Sequence, residues 1–389
     1  MATSWKIFSA AAALLLVPGL CHGQQEITTC EELQAAFELT KTQDVNVVIS
    51  PAADIECATW TNMTMTANTL NVNSSEDMSR FGGTTLLRRV RLEVTNGAKL
   101  FWETHVLFDG VEGEDDQMND GGAVYVGEGS TVRFYNDVEM RDVSIVNETK
   151  EDSDFAIFVR SGGCVWTNGY FRIDGVAFLT RCDISGAGES PPGPGGAVYV
   201  GEKGSVLFNE GVAITETRIT DDFGGDGGAI YNLGKVNIKG DSRFEELRAS
   251  EGGAIFNGEN ASFNFRKGAT ALFRDVTNRD AEGGALFNLG FFKFSGPALF
   301  VDASAPVIVG TDGSETILSK DSAFYDLGFP GSFDYGEEEA ISLLGSAVIK
   351  IPSSVRFVGT TGPLPHATAA AFYLRRGRFR RDVPVEYLP

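Results

Sequence analysis

The chain has 389 residues, of which 42% are hydrophobic and 22% charged, with 53 Asp and Glu against 32 Lys and Arg and a formal net charge of −21. Such an acidic balance argues against nucleic acid and anionic membrane surfaces as partners. The 46 glycines recur in pairs, a first sign of a repeat.

Residues 1–23, MATSWKIFSAAAALLLVPGLCHG, carry one Lys, an apolar stretch through Leu16 and small residues near Gly23. This is the pattern of a secretory signal with cleavage expected after Gly23. No later run reaches the roughly 18 apolar residues needed to span a bilayer. Loss of the signal removes Cys21 and leaves Cys30, Cys57, Cys164 and Cys182, an even number for an oxidising compartment. Proximity favours Cys30 with Cys57 and Cys164 with Cys182, although four cysteines allow three pairings. Four Asn-x-Ser/Thr sites, Asn62, Asn73, Asn147 and Asn260, are compatible with glycosylation on exposed loops.

Residues 24–60 read as an N-terminal cap. Thr29 precedes Glu31, Glu32, Leu33, Ala36 and Phe37, which places an N-cap, first-turn acids and apolar residues at helical spacing. DVNVVIS follows as the first strand. A helix closing the end of an apolar cylinder removes an open edge. From Asn62 to Gly83 the chain is polar, either loop or irregular early rungs. Strand-like pieces resume at LLRRVRLEV and AKLFWETHVLF.

One phrase then recurs six times: GGAVY at 121, GGCVW at 162, GGAVY at 195, GGAIY at 227, GGAIF at 252 and GGALF at 283. Its third residue is small, its fourth aliphatic and its fifth aromatic: Tyr125, Trp166, Tyr199, Tyr231, Phe256 and Phe287. Recurrence every 25 to 41 residues marks stacked supersecondary units. The unit from Gly227 to Glu251 holds three short strand-like runs separated by Gly and Asp turns, which is one rung of a three-sided parallel β-helix. The second run repeats as TVRF, FRI, SVLF, KVNI, SFNF and FKF, with apolar residues two apart on one face. The clearest repeats span 121–296, and the solenoid is expected over 61–359 as one domain, because solenoids grow by adding rungs.

The phrase resembles the GGA[ILV] repeat of the chlamydial polymorphic outer membrane proteins and, more broadly, the right-handed β-helices of the pectin-lyase-like superfamily. That family's second signature, a Phe followed three residues later by Asn, is missing from every rung. The resemblance implies an all-β, right-handed parallel β-helix with a short N-terminal capping helix, surface exposure and adhesion. Enzymes of the superfamily act on polysaccharides through paired carboxylates, a Lys or Arg base with Ca²⁺, or a His and Tyr pair. After the signal only His105 and His366 remain, neither in a GHG or DPHD context.

Acids precede three of the phrases, in EGEDDQMNDGG, TDDFGGDGG and RDAEGG. Stacked loops would align Asp115, Asp116, Asp120, Asp221, Asp222 and Asp226 along one edge, with Asp280 and Glu282 beyond them. Hard oxygen ligands in Gly-rich turns suit Ca²⁺; plain solvation is the other reading. The aromatic column admits two arrangements. Either the aliphatics and Asn232, Asn257 and Asn288 point inward and the aromatics with the small residues face out, or the reverse holds. Outward aromatics would form a platform for sugar rings or a protein partner.

Residues 360–389 form an Arg-rich tail, with Arg375, Arg376, Arg378, Arg380 and Arg381; RFRR resembles a furin-type processing site, and a charged capping segment is the other reading. The function expected is a secreted or cell-surface interaction module, binding extracellular polysaccharide or a surface protein. A carbohydrate-active lyase, hydrolase or epimerase on uronate-rich polysaccharide and a structural wall or matrix component are the alternatives.

Overall fold

The computed structural model describes residues 25–50, 52–75, 83–110, 122–143, 145–147, 161–186, 194–220, 225–282, 284–304, 306–319, 321–325, 341–344, 346–351, 356–358, 373–375 and 378–381. Residues 1–23, where a signal is expected, and the acidic loop positions Asp115, Asp116, Asp120, Asp221 and Asp222 lie outside them. Among the described residues all strand pairs are parallel and each joins one rung to the next, so the chain is a parallel β-helix.

Each phrase opens a rung. Its first strand is Val124–Val126, Val165–Thr167, Val198–Val200, Ile230–Asn232, Ile255–Asn257 or Leu286–Asn288, and these pair in register. The second strands, Thr131–Phe134 through Phe291–Phe294, belong to a 13-stranded ladder that runs from Gln25–Ile27 to Arg378–Arg381. Third strands such as Val138–Arg141 and Ala177–Thr180 complete the rung.

The turn chemistry explains the phrase. Gly227 has φ +69°, a left-handed conformation that a side chain resists. At Gly228 a Cβ would collide with the carbonyl oxygen of Gly253 in the next rung. That closeness lets the carbonyl of Ala254 accept from two consecutive amides, Ala229 at 2.9 Å and Ile230 at 3.0 Å. The same double acceptance recurs at Cys164, Ala197, Ala229, Ala285 and Val307. The small residue thus sits in the bend ahead of the strand, within the main core. It does not share the aromatic's face, because strand alternation begins only at the aliphatic position.

A corner missing from the sequence reading follows the third strand. Asp142, Arg181, Glu216, Glu246, Asp275 and Asp302 all have φ between 51° and 55°, each at a cost of about 1 kcal/mol or more. The bend returns the following residue to the core: Val143, Cys182, Thr217, Leu247, Val276 and Ala303 are buried. In three rungs it also starts a short fourth strand, Ile145–Asn147, Ile184–Gly186 and Ile219–Thr220, so the three-sided expectation is extended there. Cys182 in this column bonds Cys164 in the small-residue column, so that disulfide lies within one rung.

The interior is layered by rung. Phe244, Phe273, Phe300 and Phe324 stack with centroids 4.9, 4.9 and 4.7 Å apart. Phe265 and Phe294 do the same at 5.0 Å. A buried Phe contributes roughly 1.5–3 kcal/mol by leaving water, so these columns carry much of the fold's stability.

At the N-terminal end, helix α1 (Cys30–Leu39) packs Leu33, Ala36 and Phe37 into the core, and Cys30 bonds Cys57 of the strand Asp54–Met65. That strand runs across the boundary placed at residue 60. Gln25–Ile27 precedes the helix and pairs with Val45–Ile49, so it, and not DVNVVIS, is the first strand. The Thr29 side chain accepts from the Glu32 amide at 3.2 Å, and the Glu32 carboxylate accepts from the Thr29 amide at 3.2 Å. Replacing Thr29 by Ala is expected to cost about 1 kcal/mol, read as a lower urea midpoint with unchanged secondary structure. Between Asn62 and Gly83 the described residues are irregular early rungs, including Thr69–Ser74. Strand pairing also continues past Gly359: Tyr373–Arg375 pairs with the strand Ile341–Leu344, and Arg378–Arg381 with Val348–Ile351.

Candidate functional site

Strand facing decides between the two arrangements of the phrase. Val124, Val165, Val198, Ile230, Ile255 and Leu286 are fully buried in the main core, as are Asn232, Asn257 and Asn288. The aromatic side chains therefore project from the opposite, outer side of that strand. Tyr125, Trp166, Tyr199 and Tyr231 are half-buried, whereas Phe256 and Phe287 are each only 6% exposed. With Val309, those two phenylalanines form an apolar cluster apart from the core, against which Tyr231 and Leu289 pack.

The rings form one continuous stack. Successive centroids from Tyr125 to Phe287 lie 4.4, 5.8, 5.6, 4.5 and 5.4 Å apart, with interplanar angles of 4° to 13°. This spacing follows from the inter-strand distance of about 4.8 Å. Its consequence corrects the expected platform: each ring spends its π faces on its neighbours in the column. At the half-buried Tyr125, Trp166, Tyr199 and Tyr231 the outward parts are ring edges, so a sugar has edges to pack against and no open row of ring faces. At the N-terminal end of the stack the Arg91 guanidinium lies 5.5 Å from the Tyr125 ring centroid.

Beside the stack, where the first strand turns into the second, an open groove of about 460 Å³ is lined by Tyr231, Leu233, Phe256, Leu289, Glu202 and Glu259, with Gly258 and Asn260 at its edge. The lining combines two aromatic rings and two leucines with two carboxylates and an amide, a mixture that suits polyhydroxylated ligands. Burial beside Asp226 pushes the Tyr231 phenol up to about 12. A raised phenol pKa keeps the native state protonated while the unfolded chain ionises near 10. Stability is therefore expected to fall as pH rises from 10 through 12, and Tyr231→Phe to move the alkaline unfolding midpoint upward.

The buried Asn column stands directly behind the stack. Asn232 Nδ2 donates to Asn257 Oδ1 at 2.8 Å, Asn257 Nδ2 to Asn288 Oδ1 at 2.8 Å, and Asn288 Nδ2 to Thr316 Oγ1 at 2.9 Å. The Gly234 and Gly290 amides donate to Asn232 and Asn288 at 3.0 and 3.1 Å, which fixes the turn that forms the groove rim.

No family model, curated protein or solved structure matches the chain. The likeness to the chlamydial repeat rests on the phrase itself.

The remaining sequence-predicted positions are scattered. Asp226 is half-buried at the bend before Gly227, and Asp280 and Glu282 lie in the strand Ala271–Glu282, their side chains outside the description. Among the described residues no group of three His, Cys, Asp or Glu is placed to hold a metal ion. Asn62 and Asn260 are exposed; Asn73 is half-buried and donates to the Val47 carbonyl at 3.3 Å; Asn147 ends a short strand, its side chain outside the description. His105 Nδ1 lies 3.4 Å from an Asp137 carboxylate oxygen at the start of a third strand, on a different ladder from the aromatic stack. His366 lies outside the described residues.

Proposed function

We propose that this chain is an extracellular or cell-surface interaction module that holds an extended, uncharged polysaccharide along the edge of the aromatic stack and in the adjoining groove. The observation that carries the reading is the outward stack itself: a continuous column of rings outside the main core, half-exposed over the four rungs of Tyr125, Trp166, Tyr199 and Tyr231 and anchored at its end on the buried Phe256 and Phe287. One rung advances about 4.8 Å, close to the length of one sugar in an extended chain, so successive rungs meet successive residues. Glu202 and Glu259 offer hydrogen-bond acceptors to hydroxyls and repel anionic polymers from this groove. Two disulfides agree with an oxidising compartment. Among the described residues no helix is long and apolar enough to cross a membrane. The repeat's resemblance to surface proteins points the same way.

The test pairs binding with product analysis. A neutral glucan is expected to bind saturably and to come back uncut by mass spectrometry. Tyr199→Ala with Tyr231→Ala should weaken binding roughly tenfold, the scale of losing an aromatic anchor. Shortened or unsaturated chains would replace this reading with a carbohydrate-active enzyme, and wild-type affinity in the double variant would remove the stack from the site.

A further inference from the structure

The second-strand ladder presents a face whose charge opposes that of the whole molecule. In the strands from Lys99–Trp102 to Val348–Ile351, Lys99, Arg133, Arg172, Lys235, Lys293 and Lys350 stand against a single acid, Glu315. Register sorts the outward positions into columns. One runs Phe101, Arg133, Arg172, Leu207, Asn237, Asn264, Lys293, Ile317 and Lys350, and the tail strand Arg378–Arg381 pairs onto it with Arg380 in register with Lys350. The Arg-rich tail, which runs against the acidic composition, thus continues this ladder in register.

The few acids here are already engaged. Asp174 is held between Arg133 and Arg172, and Glu315 pairs with Lys350 at 2.6 Å. Lys99, Lys235 and Lys293 make no ion pair with the described residues. Aromatic groups flank the cations: the Arg133 guanidinium sits 4.0 Å from the Tyr135 ring centroid, and Tyr135 is 38% exposed. A four-residue strand makes the strip only about 13 Å wide. The turns beside the strip carry both signs: Glu128, Glu202, Glu259 and Lys203 before the strands, with Lys203 paired to Glu128 at 2.7 Å, and Glu210, Asp241, Lys239, Arg266 and Lys267 after them.

We propose that this strip docks a single extended polysaccharide chain bearing about one anionic group per sugar. It rests on the reading that the protein works by holding glycans; the surface is distinct from the aromatic stack. Cations placed every rung or two match a charge on most sugars of a chain advancing about 4.8 Å per residue. The strip's width of about 13 Å fits one extended chain and is narrower than a duplex.

The experiment measures binding of the full chain to polygalacturonate, neutral glucan and duplex DNA. Lys235→Glu with Lys293→Glu is expected to weaken polygalacturonate binding by roughly tenfold or more, and to leave glucan binding unchanged. Arg243→Glu, on a third strand, should change neither by more than about twofold. Added salt should weaken the polygalacturonate complex alone. Equal polygalacturonate affinity in the double variant, or tighter binding of duplex DNA, would overturn the proposal. If the charge reversals disturb folding by circular dichroism, Lys235→Gln with Lys293→Gln carries the same prediction at smaller size. Loss of glucan binding in the Tyr199 and Tyr231 variant with polygalacturonate binding intact separates the two surfaces. Glucan failing to bind at all removes the aromatic reading and leaves the strip.

Discussion

Gly253→Ala is expected to destabilise the chain by about 3 kcal/mol or more, read as a lower denaturant midpoint. Its added methyl would overlap the carbonyl oxygens of Gly284 and Thr277. Both are backbone atoms, one in the bend of the next rung and one in the strand Ala271–Glu282, so neither can step aside as a flexible side chain would. Moving the rung to make room would break the paired acceptance at Ala285, which binds the Ala254 amide at 3.2 Å and the Ile255 amide at 2.9 Å. Because each rung touches only its neighbours, the damage should concentrate in the rungs opened by Gly228, Gly253 and Gly284. Hydrogen exchange would show loss of protection there, with the strands near α1 spared. A variant as stable as the parent would contradict the assigned turn geometry.

Asn257→Ala should cost a similar amount, about 3 kcal/mol. Asn257 is fully buried and central in its column, accepting from Asn232 and donating to Asn288 and to the Phe291 carbonyl, the last at 3.2 Å. Truncation leaves the Asn232 amide and the Asn288 oxygen each short of one partner in a fully buried column, and opens a small cavity besides. Buried polar chains also couple their members, so double-mutant cycles between positions 232 and 257 should show interaction well beyond additivity. The expected signature is loss of stability with a retained strand spectrum. Since this column backs the aromatic stack and its Gly234 and Gly290 contacts set the groove rim, glucan affinity should fall as well.

How much of this was legible in the sequence depended on whether the information was local. The phrase carried its own turn chemistry, so the rungs, the second strands and the Thr29 cap could be read directly, as could both disulfide pairs by proximity. Facing was harder. Alternation from Ala229 to Tyr231 puts them on one side, yet Ala229 lies in the bend and only Ile230 onward obeys the strand period. Left-handed residues at Arg181, Glu216 and Glu246 have no sequence mark, because Arg and Glu are not the glycine, asparagine or aspartate that tolerates such a corner. The basic strip was the least visible. Arg172 and Lys293 are far apart in the chain and become one column only when the register of every intervening strand is known.

Trp166 offers the most direct test of the proposed function, since it stands in the outward stack between Tyr125 and Tyr199. Subtracting the emission of a Trp166→Phe variant from that of the parent isolates its fluorescence during titration with a neutral glucan. A saturable shift and quench of the Trp166 signal, with the buried Trp102 contribution unchanged, is the predicted result. Glucan binding that leaves Trp166 emission untouched, or no binding at all, would contradict the assignment of the stack as the polysaccharide surface.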